Sequence, residues 1–126
     1  MMNYARALFG FSAALNFAVG AALLLLRPWL LPLLQIAPQS NPVLLNFAAT
    51  MIILFGYAYV RIAADPIGFR PLIHVMAIGK LLAFASAAWP FAWGAISARL
   101  PLLLSADVVL ALLFLHYLRR TRWDAG

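Results

Sequence analysis

The sequence has no cysteine and no glutamate, and aspartate stands only at Asp65, Asp107 and Asp124 among 126 residues. Without cysteine there are no disulfides, thiolate metal sites or thiol nucleophiles, and the chain carries no sign of its redox compartment. Charged residues make up 10% of the chain against 67% hydrophobic residues, far from the balance of a soluble domain. There is no nucleophile with an adjacent base, no paired carboxylates, no HExxH-like zinc site and no glycine-rich phosphate loop, so enzyme activity has no carrier. The residues call for no cofactor and no metal.

What the chain does have is long apolar runs. Four segments, approximately 4–26, 42–63, 71–89 and 100–118, are long enough to cross, since about 20 residues at about 1.5 Å each span a roughly 30 Å hydrocarbon layer. The expected fold is all-α, a polytopic membrane protein with a single transmembrane domain over 1–126 that forms an antiparallel four-transmembrane-helix bundle. Between the first two spans, RPWLLPLLQIAPQSNP carries Pro28, Pro32, Pro38 and Pro42. It is too short and too broken to cross and reads as an interfacial segment anchored by Trp29, followed by a polar turn.

Asn41-Pro42 and Asp65-Pro66 each place a capping side chain before a proline suited to a first helical position. The turn ADPIGFRP is short enough to make the second and third spans an antiparallel hairpin. Leu100 before Pro101 is a poor cap for the fourth. The first span is expected to be retained and not cleaved as a signal peptide, because Ser12 and Asn16 interrupt a long apolar core and no A-x-A site precedes Arg27.

The net charge of +6 comes from basic residues that sit where apolar runs end. Arg6, Arg61, Arg70, Arg119, Arg120 and Arg122 fall on one side, Arg27 and Arg99 on the other. Such arginines set topology and meet anionic phospholipid headgroups; a nucleic-acid module needs a basic face on a soluble fold. Both termini are expected in the cytoplasm. Trp29, Trp89 and Trp93 mark the outer interface and Tyr4, Tyr117 and Trp123 the inner one. A few spanning helices leave little interior, which favours a homo-oligomer or a partner membrane protein.

In MAIGKLLAFA, Lys80 interrupts an apolar run about 13 Å from the inner end of the third span, and Asp107 lies about 16 Å from the same end of the fourth. Unpaired, either charge costs about 2.5 to 3.5 kcal/mol at the centre of a span. Equal depth therefore predicts a Lys80–Asp107 ion pair facing the interior. Asn16, Asn46 and Thr50 are expected to turn inward with it as an intramembrane polar network. Ala77, Ala83 and Ala87 share the face of Lys80. On the first span Gly10, Ala14, Ala18 and Ala22 recur every four residues as a close-packing stripe that also suits an oligomer contact, beside a second stripe of Ser12, Asn16 and Gly20. His74 and His116 read as interface histidines, without the ligand spacing of a metal site.

The hairpin FGYAYVRIAADPIGFRPLIHVMAIGK gathers Gly56, Tyr57, Arg61, Asp65, Pro66, Arg70, Pro71, His74, Gly79 and Lys80. In the turn, Asp65 is expected to cap and to pair with Arg61 or Arg70. Over roughly residues 50 to 85 this stretch resembles small four-helix bacterial inner-membrane proteins of the DoxX-like group, in which a GY-containing helix and a D-P turn followed by R-P lead into a helix with G-K. The resemblance implies an accessory role beside partner oxidoreductases and carries over no catalytic residue.

The expected function is thus a non-catalytic accessory or scaffold component of a membrane complex. The alternative is a small oligomeric transporter or ligand-binding protein centred on Lys80 and Asp107, and a cavity reaching Lys80 is the feature that separates the two.

Overall fold

The computed structural model describes residues 2–38 and 40–121; Met1, Arg122 and Trp123 lie outside the described residues. The described chain forms five helices: α1 (Met2–Leu25), α2 (Arg27–Leu33), α3 (Val43–Ala64), α4 (Arg70–Ala92) and α5 (Arg99–Arg120). Four of them, all but α2, are long and apolar enough to cross a membrane, and only 17 to 33% of each apolar window is buried within the chain. Apolar side chains such as Leu44, Phe47, Leu82 and Leu102 therefore point outward, as in a multi-pass membrane protein whose solvent is lipid.

Local chemistry sets the boundaries. Asn41 Oδ1 accepts the Val43 amide at 3.0 Å and satisfies one donor of the first turn of α3. The short α2 ends in a Schellman pattern, Ile36 N to Leu31 O at 2.9 Å and Gln35 N to Pro32 O at 3.0 Å, with Gln35 at φ 56°. α4 ends the same way on Gly94, at φ 76°, with Ala95 N bonded to Pro90 O at 2.9 Å.

The helices associate as two close pairs. α1 packs along α3 and α4 along α5, whereas α3 and α4 approach each other much less closely although a short turn joins them. The expected hairpin is therefore present in connectivity but is not the tight contact. The reason lies in which faces carry small residues. A Cβ on Gly20 would lie 2.5 Å from Ile53 Cγ1 and 3.1 Å from the Ala49 carbonyl, and one on Gly56 would lie 3.0 Å from the Phe17 ring, so α1 and α3 meet glycine to side chain. Between α3 and α4 an open groove lined by Phe55, Phe69 and Leu72 takes the place of such a contact.

The stripe of Gly10, Ala14 and Ala18 faces out of the chain, and nothing lies within 4 Å of a Cβ built on Gly10. Close packing inside the molecule falls to the neighbouring stripe, with Ser12 and Asn16 buried. Asn16 explains the choice: its amide needs an acceptor in hydrocarbon and finds the Ile52 carbonyl across the α1–α3 contact at 3.1 Å.

The two pairs join through an aromatic core. Phe9 of α1 stacks against Phe114 and Tyr117 of α5 at 4.8 and 5.8 Å between centroids, and Tyr59 of α3 lies 5.6 Å from Phe114. Tyr4 meets Tyr117, which puts the start of α1 beside the finish of α5 at what is here called the proximal end. An arginine ties each end. Proximally, Arg70 of α4 donates to Thr121 Oγ1 at 2.6 Å and to the Leu118 carbonyl. At the opposite, distal end, Arg99 of α5 donates to the Leu33 carbonyl of α2 at 2.9 Å.

Candidate functional site

Lys80 is nearly inaccessible at 5% exposure, halfway along α4, and its Nζ stands 2.8 Å from Asp107 Oδ1 on α5. Both residues lie on the inward stripes of their helices, with Ile73, Met76 and Ala77 before Lys80 and Leu110, Ala111 and Phe114 after Asp107. The ammonium also sits 5.2 Å from the centroid of the Tyr59 ring, a cation–π contact from the third helix. Pairing and the aromatic face together offset the desolvation of a charge at this depth.

Beside this group the two helix pairs leave a space. A cavity of about 180 Å³ opens between them, and all four spanning helices contribute to its wall: Asn16 and Val19, Ile52 and Tyr59, Lys80 and Ala83, Leu104 and Asp107. Most of the wall is aliphatic, and the charged pair supplies a donor and an acceptor. An ammonium carries three N–H groups and a carboxylate several lone pairs, so one mutual bond leaves capacity for a polar atom in the cavity. The Asp107 side chain is 18% exposed, so the pair is reachable from outside. Leu15 and Ala106 line both this cavity and a groove between α1 and α5, which makes that groove the neighbouring open space.

Of the residues expected in the polar network, Lys80, Asp107 and Asn16 come together at the cavity. Asn46 and Thr50 do not. Both are exposed. Asn46, in the first turn of α3, accepts Arg27 Nη2 at 2.6 Å, and the Thr50 hydroxyl donates to the Asn46 carbonyl at 2.7 Å. Arg27 at the start of α2 claims the asparagine, and a threonine one turn on satisfies itself on its own helix. The residue missed is Tyr59. It shares the inward face of α3 with Ile52, Gly56 and Ile62, at offsets of seven and three residues, whereas the motif-bearing Tyr57 is exposed.

In the hairpin, the Asp65 carboxylate accepts the Gly68 amide at 3.0 Å and closes the turn. The expected ion pair with Arg61 or Arg70 is absent: among the described residues the carboxylate–cation contact is Lys80–Asp107. Arg70 is drawn to the end of α5, and Arg61 donates to the Tyr57 hydroxyl at 3.2 Å with its guanidinium 5.4 Å from the Phe69 ring centroid. His74 and His116 are exposed, and no group of three metal-binding side chains occurs among the described residues.

No family model, curated protein or solved structure matches this chain, so the DoxX-like resemblance rests on the hairpin residues alone.

Proposed function

We propose that this protein binds a small, neutral, largely apolar molecule bearing a carbonyl or hydroxyl group in the middle of the membrane. The cavity against the Lys80–Asp107 pair carries this reading. Its volume of about 180 Å³ is close to the roughly 150 Å³ that admits one benzene ring in an apolar protein interior. The pair is neutral as a unit, so a charged ligand would bring an uncompensated charge into a low-dielectric site, whereas a neutral oxygen only adds a hydrogen bond. We place the chain in a bacterial inner membrane with both termini in the cytoplasm and α2 along the outer interface. The grouping of Arg6, Arg61, Arg70, Arg119 and Arg120 at one end, against Arg27 and Arg99 at the other, supports that orientation.

The test compares cyclohexanone with methylcyclohexane by thermal unfolding of the purified protein. The ketone is expected to stabilise the wild type more than the hydrocarbon, and a Lys80→Met, Asp107→Leu double variant is expected to lose that preference. Equal effects of the two compounds on the wild type would refute the reading.

A second reading, an accessory subunit of a membrane complex, draws on the outward stripe of Gly10, Ala14 and Ala18, a surface suited to close approach by another helix. Native mass spectrometry of gently extracted protein distinguishes the two: a stoichiometric second protein supports the accessory role, and a chain carrying only a small-molecule mass supports ligand binding.

A further inference from the structure

Arg61 lies one turn before the end of α3, at the proximal end of the bundle, and among the described residues it has no carboxylate beside it, since Asp65 is turned to the Gly68 amide. Its guanidinium is nonetheless held in place, by the Tyr57 hydroxyl at 3.2 Å and by the Phe69 ring at 5.4 Å. The wider separation of α3 from α4 leaves a groove of about 370 Å³ beside it, lined by Leu54, Phe55, Ala58, Leu72 and Met76 together with Arg61 itself. Leu54 stands seven residues from Arg61, so the groove runs about 10 Å toward the middle of the span. It is apolar along its length and cationic at the end where headgroups lie.

That layout repeats the chemistry of one class of molecule, an aliphatic chain with an anionic head. We propose that the groove between α3 and α4 is a specific site for one anionic phospholipid, with an acyl chain along Leu54, Ala58 and Leu72 and the phosphate on Arg61. Charge complementarity selects this occupant over a second protein chain. A guanidinium offers five N–H donors in a planar fork, the Tyr57 contact uses one, and a phosphate takes two in parallel. The nearby Arg70 does not line the groove, because its guanidinium is drawn to the Leu118 carbonyl and the Thr121 hydroxyl at the end of α5. Arg61 is thereby distinguished from Arg6, Arg119 and Arg120, which do not line this groove.

The experiment incubates the full chain in neutral detergent with equal amounts of phosphatidylglycerol and phosphatidylcholine of the same acyl composition, and native mass spectrometry reads the retained lipid. One phosphatidylglycerol is expected per chain, favoured roughly fivefold over phosphatidylcholine. Arg61→Gln should bring the ratio near unity, and Leu54→Trp, which fills the groove and keeps the guanidinium, should lower retention of both lipids. Arg27→Gln, at the opposite end, should keep the preference. Equal retention by the wild type overturns the proposal, as does a preference that survives Arg61→Gln or falls equally in Arg27→Gln. Displacement of the lipid by millimolar inorganic phosphate would assign the site to a free anion and overturn it too.

Discussion

Lys80 of α4 and Asp107 of α5, twenty-seven residues apart, meet at 2.8 Å beneath a cavity that all four spanning helices line. The contact fastens the second helix pair at mid-span and gives the cavity its polar wall.

Removing either charge strands the other. Lys80→Ala and Asp107→Ala are each expected to destabilise the protein by about 3 kcal/mol in equilibrium unfolding in mixed micelles. The exchange of Lys80→Asp with Asp107→Lys should recover much of that loss, and a double variant as unstable as the sum of the single ones would show that the two do not act as a pair.

The α1–α3 contact depends on the absence of a side chain at Gly20. A methyl group there would meet both Ile53 and the Ala49 carbonyl, and the backbone oxygen cannot rotate away. Gly20→Ala is expected to cost about 1 to 3 kcal/mol, whereas Gly10→Ala, which meets nothing, should change stability by less than about 0.5 kcal/mol. Equal effects in the same unfolding assay would mean that the outward stripe is packed against something as tightly as the inward one.

Asp65 acts in its turn as a hydrogen-bond acceptor and not as a salt-bridge partner. Asp65→Asn keeps an oxygen for the Gly68 amide and is expected to leave stability within about 0.5 kcal/mol of wild type. Gly68→Ala should be worse by about 1 kcal/mol or more, because a Cβ on Gly68 runs into the Asp65 carboxylate. A marked loss in Asp65→Asn alone would restore the ion pair with Arg61 or Arg70.

Access to the cavity should be sensitive at Ala106, which is exposed and lines both the cavity and the α1–α5 groove. Ala106→Trp is expected to leave the fold intact and abolish stabilisation by cyclohexanone. If the ketone stabilises that variant as well as it does the wild type, entry does not pass between α1 and α5.

The sequence by itself determined the four spans, a proline-broken segment too short to cross between the first two and the pairing of Lys80 with Asp107. These follow from quantities that read along one dimension: apolar length against membrane thickness, proline against helix continuity, and depth counted in residues from a common interface. The tertiary structure decided which face of each helix turns inward. In an all-apolar span the hydrophobic pattern carries almost no facial signal, because lipid and interior are equally apolar, and small-residue stripes on adjacent faces of α1 look alike. Asn16 settled that face by reaching the Ile52 carbonyl. The same ambiguity hid Tyr59 behind Tyr57 and made Asn46 and Thr50 look inward-facing, although Arg27 and the helix's own backbone satisfy them at the surface. The cavity itself was not legible, because its wall is assembled from residues of four helices, Asn16, Tyr59, Lys80 and Asp107 among them, which only the packing of the two helix pairs brings around one space.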